Sequence, residues 1–202
     1  MIVLSSESDL RSCYDQPSDL VQKKILPRLD KHAKAFIALS PFVVLATHGP
    51  DGADASPRGD APGFVQVIDD ATLLLPDRRG NNLIDSLRNV AQSADVGLLF
   101  LVPGINESLR VNGRAEIVTD AAVLAPLAAQ GKMPASALKI AVREVFFHCG
   151  KAMIRSGLWR PESRVPRDAF PTLGRVIADQ VGGLDADAAD ANLEESYRTR
   201  LY

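Results

Sequence analysis

The chain of 202 residues has two cysteines, Cys13 and Cys149, few aromatic residues and no long apolar run. Two thiols cannot build a disulfide-dense secreted scaffold, and alone they cannot supply a four-cysteine zinc site. No apolar run approaches the roughly 20 residues that a membrane helix requires. The first residues include Glu7 and Asp9 and lack the basic-then-apolar order of a signal peptide. The composition therefore predicts a cytoplasmic protein that has no membrane segment.

The chain also lacks a marked excess of basic or of acidic residues. The 23 lysines and arginines nearly balance the 25 aspartates and glutamates, so the net charge is −2. Proteins that bind nucleic acid usually show a basic domain or stripe, so we expect no nucleic-acid partner. The hydrophobic and charged fractions, 46% and 24%, are those of an ordinary globular protein, and the length favours one principal domain.

The middle of the chain predicts short strands separated by turns. Runs rich in β-branched and apolar residues predict strands at 42–47, 53–56, 64–68, 72–75, 96–102, 109–118 and 140–147. Helices are predicted at 81–91 and 121–129. Because most of these strands are joined by turns rather than by helices, the pattern favours a closed or nearly closed antiparallel barrel over a parallel sheet.

Helical segments are predicted at both ends of the chain. In residues 1–40, Ser18 or Asp19 could cap a helix, and Pro27 would kink it or split it in two. Residues 179–195 contain six acidic and no basic residues, which indicates a solvated C-terminal helix. We therefore predict an N-terminal helical segment (1–40), a barrel domain (41–160) and a C-terminal helical extension (161–202).

The segment Ser56-Pro57-Arg58-Gly59-Asp60 combines turn formers with both signs of charge. Gly59 would let the backbone approach a flat or anionic ligand closely. Arg58 would supply a fork of donors, and Asp60 would supply an acceptor. The same residues also fit a surface loop with a local Arg–Asp pair, which would contribute little stability. The spacing alone leaves both interpretations open.

The segment Pro76–Asn82 leads from a predicted strand into a predicted helix. Arg78, Arg79 and Gly80 stand just before that helix, where exposed backbone amides favour an anion. Asn81 or Asn82 could cap the helix or donate to a phosphate. This is the best candidate for a phosphate site in the chain, and a capped helix with solvated arginines is the alternative.

The predicted strand 109–118 carries a polar row. Arg110, Asn112 and Arg114 share one face because side chains on a strand alternate with a period of two. Such a row either faces water or lines a polar cavity.

A second basic stretch, residues 143–167, contains six basic and two acidic residues. Together with Lys151, Trp159 would suit a planar anionic ligand, although a helix with a solvated basic face is equally compatible. The neighbours His148 and Cys149 would point to opposite faces of a strand, so we predict no metal site there.

Taken in order, these motifs resemble the pyridoxamine 5′-phosphate oxidase-like superfamily, in particular its branch of FMN-dependent proteins of unassigned substrate. The resemblance spans about residues 40–160. Its most specific motifs are Asp-Arg-Arg-Gly-Asn-Asn at 77–82 and Leu-Arg-Val-Asn-Gly-Arg at 109–114.

The resemblance implies a mainly β protein with flanking helices (α+β), an antiparallel split β-barrel that forms a homodimer with FMN at the subunit interface. It places the FMN phosphate at the strand-to-helix segment and the isoalloxazine ring along residues 56–60. It implies that the partner subunit supplies Lys151 and Trp159. The implied FMN-binding residues are Ser56, Arg58, Gly59, Asp60, Arg78, Arg79, Asn81, Asn82, Arg110, Lys151 and Trp159.

The predicted function is an FMN-dependent oxidoreductase acting on a small molecule, with no catalytic residue assigned. One alternative is a flavin-binding module without turnover, such as a carrier or a sensor. Another is a structural dimer whose site binds a different phosphate or haem.

Overall fold

The computed structural model describes residues 3–202, so the first two residues of the predicted segment 1–40 lie outside it. Strands span Phe42–Gly49 (β1), Gly52–Gly59 (β2), Gln66–Asp69 (β3), Thr72–Asp77 (β4), Asp95–Leu101 (β5), Ser108–Val118 (β6) and Ser136–His148 (β7). Helices span Glu7–Arg11 (α1), Asp19–Lys23 (α2), Lys31–Leu39 (α3), Asp85–Ser93 (α4), Ala121–Leu124 (α5), Lys151–Ser156 (α6), Leu173–Val181 (α7) and Ala186–Thr199 (α8). Across this range no helix combines the length and apolar character that crossing a bilayer requires.

Within residues 3–202 the seven strands form one antiparallel sheet in the order β2-β1-β5-β6-β7-β4-β3. The antiparallel prediction is confirmed, and the protein has the split-barrel type of fold. Backbone pairing does not close the sheet into a barrel over the described residues, because β2 and β3 form its two edges. Of the closed or nearly closed barrel that the sequence predicts, the closed form is therefore excluded for these residues, and the sheet is open at β2 and β3.

The main core fills the inner face of this sheet, and a smaller cluster of Leu74, Leu124, Leu127 and Ala137 packs separately from it. Leu45, Leu98, Val111 and Val145 are paired in one row across β1, β5, β6 and β7, and all four are buried. The same core includes Leu73 of β4 together with side chains of α3 and α4. Because strands from both halves of the sheet share these contacts, the sheet must curve around them.

The neighbouring row of the sheet has the opposite orientation. One residue from each of five strands is aligned in this row: Pro57 (β2), Val44 (β1), Leu99 (β5), Arg110 (β6) and Phe146 (β7). Successive side chains on a strand point to opposite faces, so this row lies on the outer face. The two rows define the faces to which the candidate residues belong.

A bulge between β6 and β7 changes which residues of β7 face outward. Asn112 pairs with Glu144 but Gly113 pairs with Val142, so Arg143 is an extra residue on β7. Beyond that point Val145 is buried, and Glu144 and Phe146 lie on the outer face. The bulge therefore brings Glu144 and Phe146 beside Arg110.

Several predicted elements have different limits in the structure. The second strand extends beyond Ser56 to Gly59, so most of the presumed loop is an edge strand, where Pro57 is tolerated because its missing N–H faces no partner. The predicted helix 121–129 is only the four residues of α5 and a 3₁₀ turn, because Pro126 cannot donate to a continuing helix. The last strand begins at Ser136 rather than at 140.

The terminal helical segments are each divided. Of the two predicted caps, Ser18 and Asp19, the structure shows Ser18 at the start of α2. Pro27 lies between α2 and α3, so the segment is split rather than kinked. The predicted helix 179–195 is interrupted, because Gly182 and Gly183 adopt positive φ values of 74° and 69° and separate α7, which ends at Val181, from α8, which begins at Ala186.

Candidate functional site

A cavity of about 620 Å³ lies where β4 leads into α4. Its walls are Asp54, Ser56 and Arg58 of β2, the continuous segment Asp77–Leu87, the loop Lys132–Ala135 and Tyr202. This volume is within the usual range for small-molecule and cofactor sites. Six of the predicted residues meet in this cavity: Ser56, Arg58, Arg78, Arg79, Asn81 and Asn82.

Strand alternation explains why β2 contributes every second residue. Ser56 pairs with the buried Leu45 of β1, so its side chain lies on the inner face of the sheet. Asp54 and Arg58, two residues away on either side, share that face and are half-buried. Sequence reasoning missed Asp54, although strand alternation counted back from Ser56 and Arg58 could have found it.

The connection from β4 to α4 has an unusual backbone. Asn82 and Ile84 adopt left-handed φ values of 61° and 52°. Such conformations are rare for residues other than glycine, above all for a β-branched residue, and typically cost about 1–3 kcal/mol each. The turn delays the start of the helix from the predicted residue 81 to Asp85.

The predicted cap by Asn81 or Asn82 is wrong. The Asn81 side chain accepts a hydrogen bond from the Leu83 amide at 3.0 Å, and the cap position is occupied by Ile84. Within the described chain, α4 consequently begins without a side-chain cap. Its first backbone amides are left available at the cavity wall, where they favour an anion.

A polar cluster holds α4 against the sheet beside the cavity. Ser86 and Thr47 donate to Asp54 Oδ2 at 3.1 and 3.4 Å, and Asn89 donates to the Thr47 hydroxyl at 3.0 Å. Because these bonds join α4 to both β1 and β2, they determine how far the start of α4 lies from Ser56 and Arg58.

Asp60 joins three distant parts of the chain below the cavity. Arg78 Nε donates to Asp60 Oδ2 at 2.6 Å, Tyr202 Oη donates to Asp60 Oδ1 at 2.6 Å, and the Ala61 amide donates to Oδ1 at 2.7 Å. Burial raises the pKa of Asp60, but the hydrogen bonds from Tyr202 and Ala61 and the charge of Arg78 outweigh it, so the pKa lies below its ordinary value. The carboxylate pairs with Arg78 rather than with Arg58, contrary to the local-pair interpretation.

Asp77 is a second carboxyl that sequence reasoning did not select. It follows Leu73 and Leu75 on the inner face of β4 and lines the cavity. Burial raises its pKa, and the nearby charge of Arg58 opposes this shift only in part. Asp77 therefore retains a proton to higher pH than an ordinary carboxyl does.

Arg110 lies on the other face of the sheet from the cavity. Its Nη2 donates to Glu144 Oε1 at 2.6 Å, and its guanidinium carbon lies 5.0 Å from the centre of the Phe146 ring. Its Nε is buried and has no hydrogen-bond partner among residues 3–202. Asn112 also donates to Glu144, and Arg114 lies 3.6 Å from Asp95, so the predicted polar row faces outward.

The other predicted residues also lie outside the cavity. Gly59 pairs with Phe42 at the start of β1. Lys151 is exposed at the start of α6, and Trp159 Nε1 donates to the Ile105 carbonyl at 2.8 Å. Their assignment to FMN stays a prediction. Over residues 3–202, no group of three His, Cys, Asp or Glu side chains could hold a metal ion.

Lys132 and Tyr202 were missed for a different reason. Lys132 lies in a loop before β7, and Tyr202 follows α8, so neither is near the motifs that define the cavity. Lys132 Nζ donates to the main-chain oxygen of Tyr202 at 2.8 Å. A local pattern cannot reveal this contact between residues that are 70 positions apart.

The open antiparallel sheet defines the class of protein as a split barrel, and the cavity at its strand-to-helix connection is the candidate ligand site. The family model described as pyridoxamine 5′-phosphate oxidase matches residues 29–149, more than half of the chain. The chain belongs to this family. No curated protein matches it by sequence.

Solved structures that resemble the chain come from several bacteria. HupZ of Group A Streptococcus is 21% identical, with 59% of this chain and 93% of that chain covered and a TM-score of 0.48. An FMN-binding protein of Syntrophomonas wolfei is 11% identical, with 65% and 87% covered and a TM-score of 0.46. General stress protein 26 of Bacillus anthracis is 16% identical, with 57% and 93% covered and a TM-score of 0.43. The family assignment depends on the sequence match alone.

Proposed function

We propose that the protein binds FMN in the cavity and acts as an FMN-dependent oxidoreductase on a small-molecule substrate. The observation that carries the proposal is the meeting of two separate motifs, Ser56 and Arg58 on β2 and Arg78–Asn82 after β4, in one cavity. Membership of the pyridoxamine 5′-phosphate oxidase family supports the choice of FMN.

The segment after β4 suits the phosphate of FMN. Arg79 and Asn82 are exposed on the cavity wall, and the uncapped start of α4 adds backbone amides. Guanidinium groups and helix N-termini are both favourable partners for a phosphate. The donor set of this chain therefore fits the charged end of the cofactor.

Ser56 and Arg58 would lie along the ring of the cofactor. The flavin ring supplies the redox chemistry when bound, and the protein supplies orientation and charge. Arg58 is a fixed positive charge that would stabilise negative charge on the reduced ring. Asp77, close enough to Arg58 for their charges to interact, is the carboxyl positioned to hold a proton beside the ring.

We further propose a homodimer in which each subunit contributes to its partner's FMN site. Arg110 lies on the outer face of the sheet, whereas Ser56 and Arg58 lie on the inner face. Arg110 of one subunit can therefore reach an FMN bound in the cavity of its partner more readily than an FMN bound in the cavity of its own subunit. The Arg110 side chain is 37% exposed, which leaves it accessible to a partner on that face.

The spectrum of the purified protein tests the proposal directly. We expect yellow protein with flavin absorbance, or colourless protein that gains it on reconstitution with FMN. Anaerobic reduction by a nicotinamide donor then separates an oxidoreductase from a carrier that does not turn over. Protein that remains colourless after reconstitution would overturn the FMN assignment.

Removal of the phosphate donors should weaken FMN binding. We expect Arg79→Ala and Asn82→Gly each to cost about 1.5–3 kcal/mol, the usual contribution of a hydrogen bond to a charged group. Glycine is chosen at position 82 because it tolerates the left-handed backbone there. Fluorescence titration with FMN measures the effect, and Arg175→Ala, on an exposed face of α7, is the control. Unchanged affinity in both cavity variants would contradict the phosphate assignment.

The dimer prediction has a separate test. We expect sedimentation to show a dimer and Arg110→Ala to weaken FMN binding about tenfold, the loss of roughly one hydrogen bond to a charged group. Arg114→Ala, on the same face and 62% exposed, should leave the affinity unchanged. A monomer that still retains FMN would rule out a shared site.

A further inference from the structure

Tyr202 contacts the wall of the cavity through its hydroxyl, its ring and its backbone. The hydroxyl donates to Asp60 Oδ1 at 2.6 Å, and the guanidinium carbon of Arg78 lies 5.8 Å from the centre of the ring. Lys132 Nζ donates to the Tyr202 main-chain oxygen at 2.8 Å. These contacts attach the segment after α8 to the strand-to-helix connection between β4 and α4, which lies far from it in the sequence.

The nitrogens of Arg78 show what this arrangement achieves. Nε donates to Asp60 and Nη1 donates to the Leu127 carbonyl at 2.8 Å. Nη2 has no hydrogen-bond partner in the described part of the chain. It is also absent from the buried side-chain atoms that lack a partner, so it remains accessible. Arg78 lines the cavity, and its side chain is 18% exposed. Two of its nitrogens are held by the protein, while the third can serve a ligand.

We infer that Tyr202 is a positioning residue for the phosphate end of the cavity: it holds the Asp60 carboxylate, and Asp60 in turn fixes the guanidinium of Arg78. The inference rests on the proposed binding of FMN. Asp60 is 3% exposed, and its Oδ1 accepts from both Tyr202 and the Ala61 amide. Without the Tyr202 hydroxyl the amide alone holds Oδ1, and the carboxylate can turn about that one bond. A turned carboxylate no longer orients the Arg78 fork, whose usefulness to a phosphate depends on its geometry.

This role makes the α7–α8 hairpin part of the site. The Gly174 amide of α7 donates to Asp190 Oδ1 of α8 at 2.8 Å, which locks the two helices together. The chain leaves α8 at Thr199, three residues before Tyr202. The hairpin therefore delivers the phenol to Asp60 from outside the segment matched by the family model.

Tyr202→Phe tests the inference because it removes the hydroxyl and keeps the ring and the contact with Lys132. We expect FMN to bind about tenfold more weakly, the loss of roughly one hydrogen bond to a charged group. Riboflavin, which lacks the phosphate, should bind the variant and the unmodified protein equally. Tyr197→Phe is the matched control, since Tyr197 is 58% exposed on α8.

A second variant shows whether Tyr202 acts through Arg78. Arg78→Lys removes the fork, and in that background Tyr202→Phe should have little further effect on FMN affinity. Equal losses for FMN and riboflavin, or an independent effect in the Arg78→Lys background, would overturn the positioning role. Unchanged or tighter FMN binding by Tyr202→Phe would also overturn it while leaving the proposed function intact. If the unmodified protein binds neither flavin, the proposed function fails and this inference fails with it.

Discussion

We expect Asp60→Ala to lower the free energy of unfolding by about 3–5 kcal/mol, the range for removing one partner of a buried ion pair. The Asp60 side chain is 3% exposed, and that of Arg78 is 18% exposed. The substitution leaves Arg78 Nε and the Tyr202 hydroxyl without their acceptor. Denaturation in urea, followed by circular dichroism, measures the change.

Asp70→Ala is the control for this prediction. Asp70 pairs with Lys34 in an ion pair whose side chains are 60% and 40% exposed. Exposed pairs contribute about 0–1 kcal/mol, so the control should change stability little. Equal losses in the two variants would show that the burial of Asp60 is not what makes it important.

The pH dependence of stability follows from the lowered pKa of Asp60. A carboxyl whose pKa is lower in the folded state stabilises the protein above its ordinary pKa of about 3.9. That stabilisation disappears as the pH falls through the folded-state value. We therefore expect the difference in unfolding free energy between the unmodified protein and Asp60→Ala to shrink below about pH 4. A difference that stays constant to lower pH would contradict the assignment.

We expect Gly113→Ala to destabilise the protein by about 3 kcal/mol or more, at the upper end of what overpacking costs. A Cβ at this position would lie 2.3 Å from the Ala141 carbonyl oxygen and 3.1 Å from Ile140 Cγ2. The oxygen belongs to the backbone of β7, so it cannot move without disturbing the bulge. Thermal unfolding measures the loss of stability.

Gly97→Ala provides a matched control in the same sheet. Its nearest atoms would be Asn112 Oδ1 at 3.3 Å and Ala46 Cβ at 3.7 Å, both in side chains. We expect a much smaller loss, because a side chain can adjust more easily than a paired strand can. If both alanine variants unfold alike, the close approach of β6 to β7 at Gly113 is not the cause.

Local patterns predicted the strands well where both faces of the sheet had distinct chemistry. The alternation around Arg110 placed Arg110, Asn112 and Arg114 on one face, and the structure agrees. The predicted ends of helices were wrong where contacts with neighbouring elements determine them. The start of α4 moved to Asp85 because Asn82 and Ile84 take left-handed conformations, which no local preference of a β-branched residue would predict.

The antiparallel arrangement of short strands, the family resemblance and the two basic motifs could all be predicted from local patterns, because alternation, turn chemistry and short motifs involve residues close together in the chain. No local pattern could show that Asp60 pairs with Arg78, 18 residues away, and with Tyr202, 142 residues away, because the folded chain brings these residues together. The tertiary structure also decided that Arg110 faces away from the cavity. These outcomes depend on how the sheet curves and where its bulge lies, and both result from the packing of many distant side chains at once.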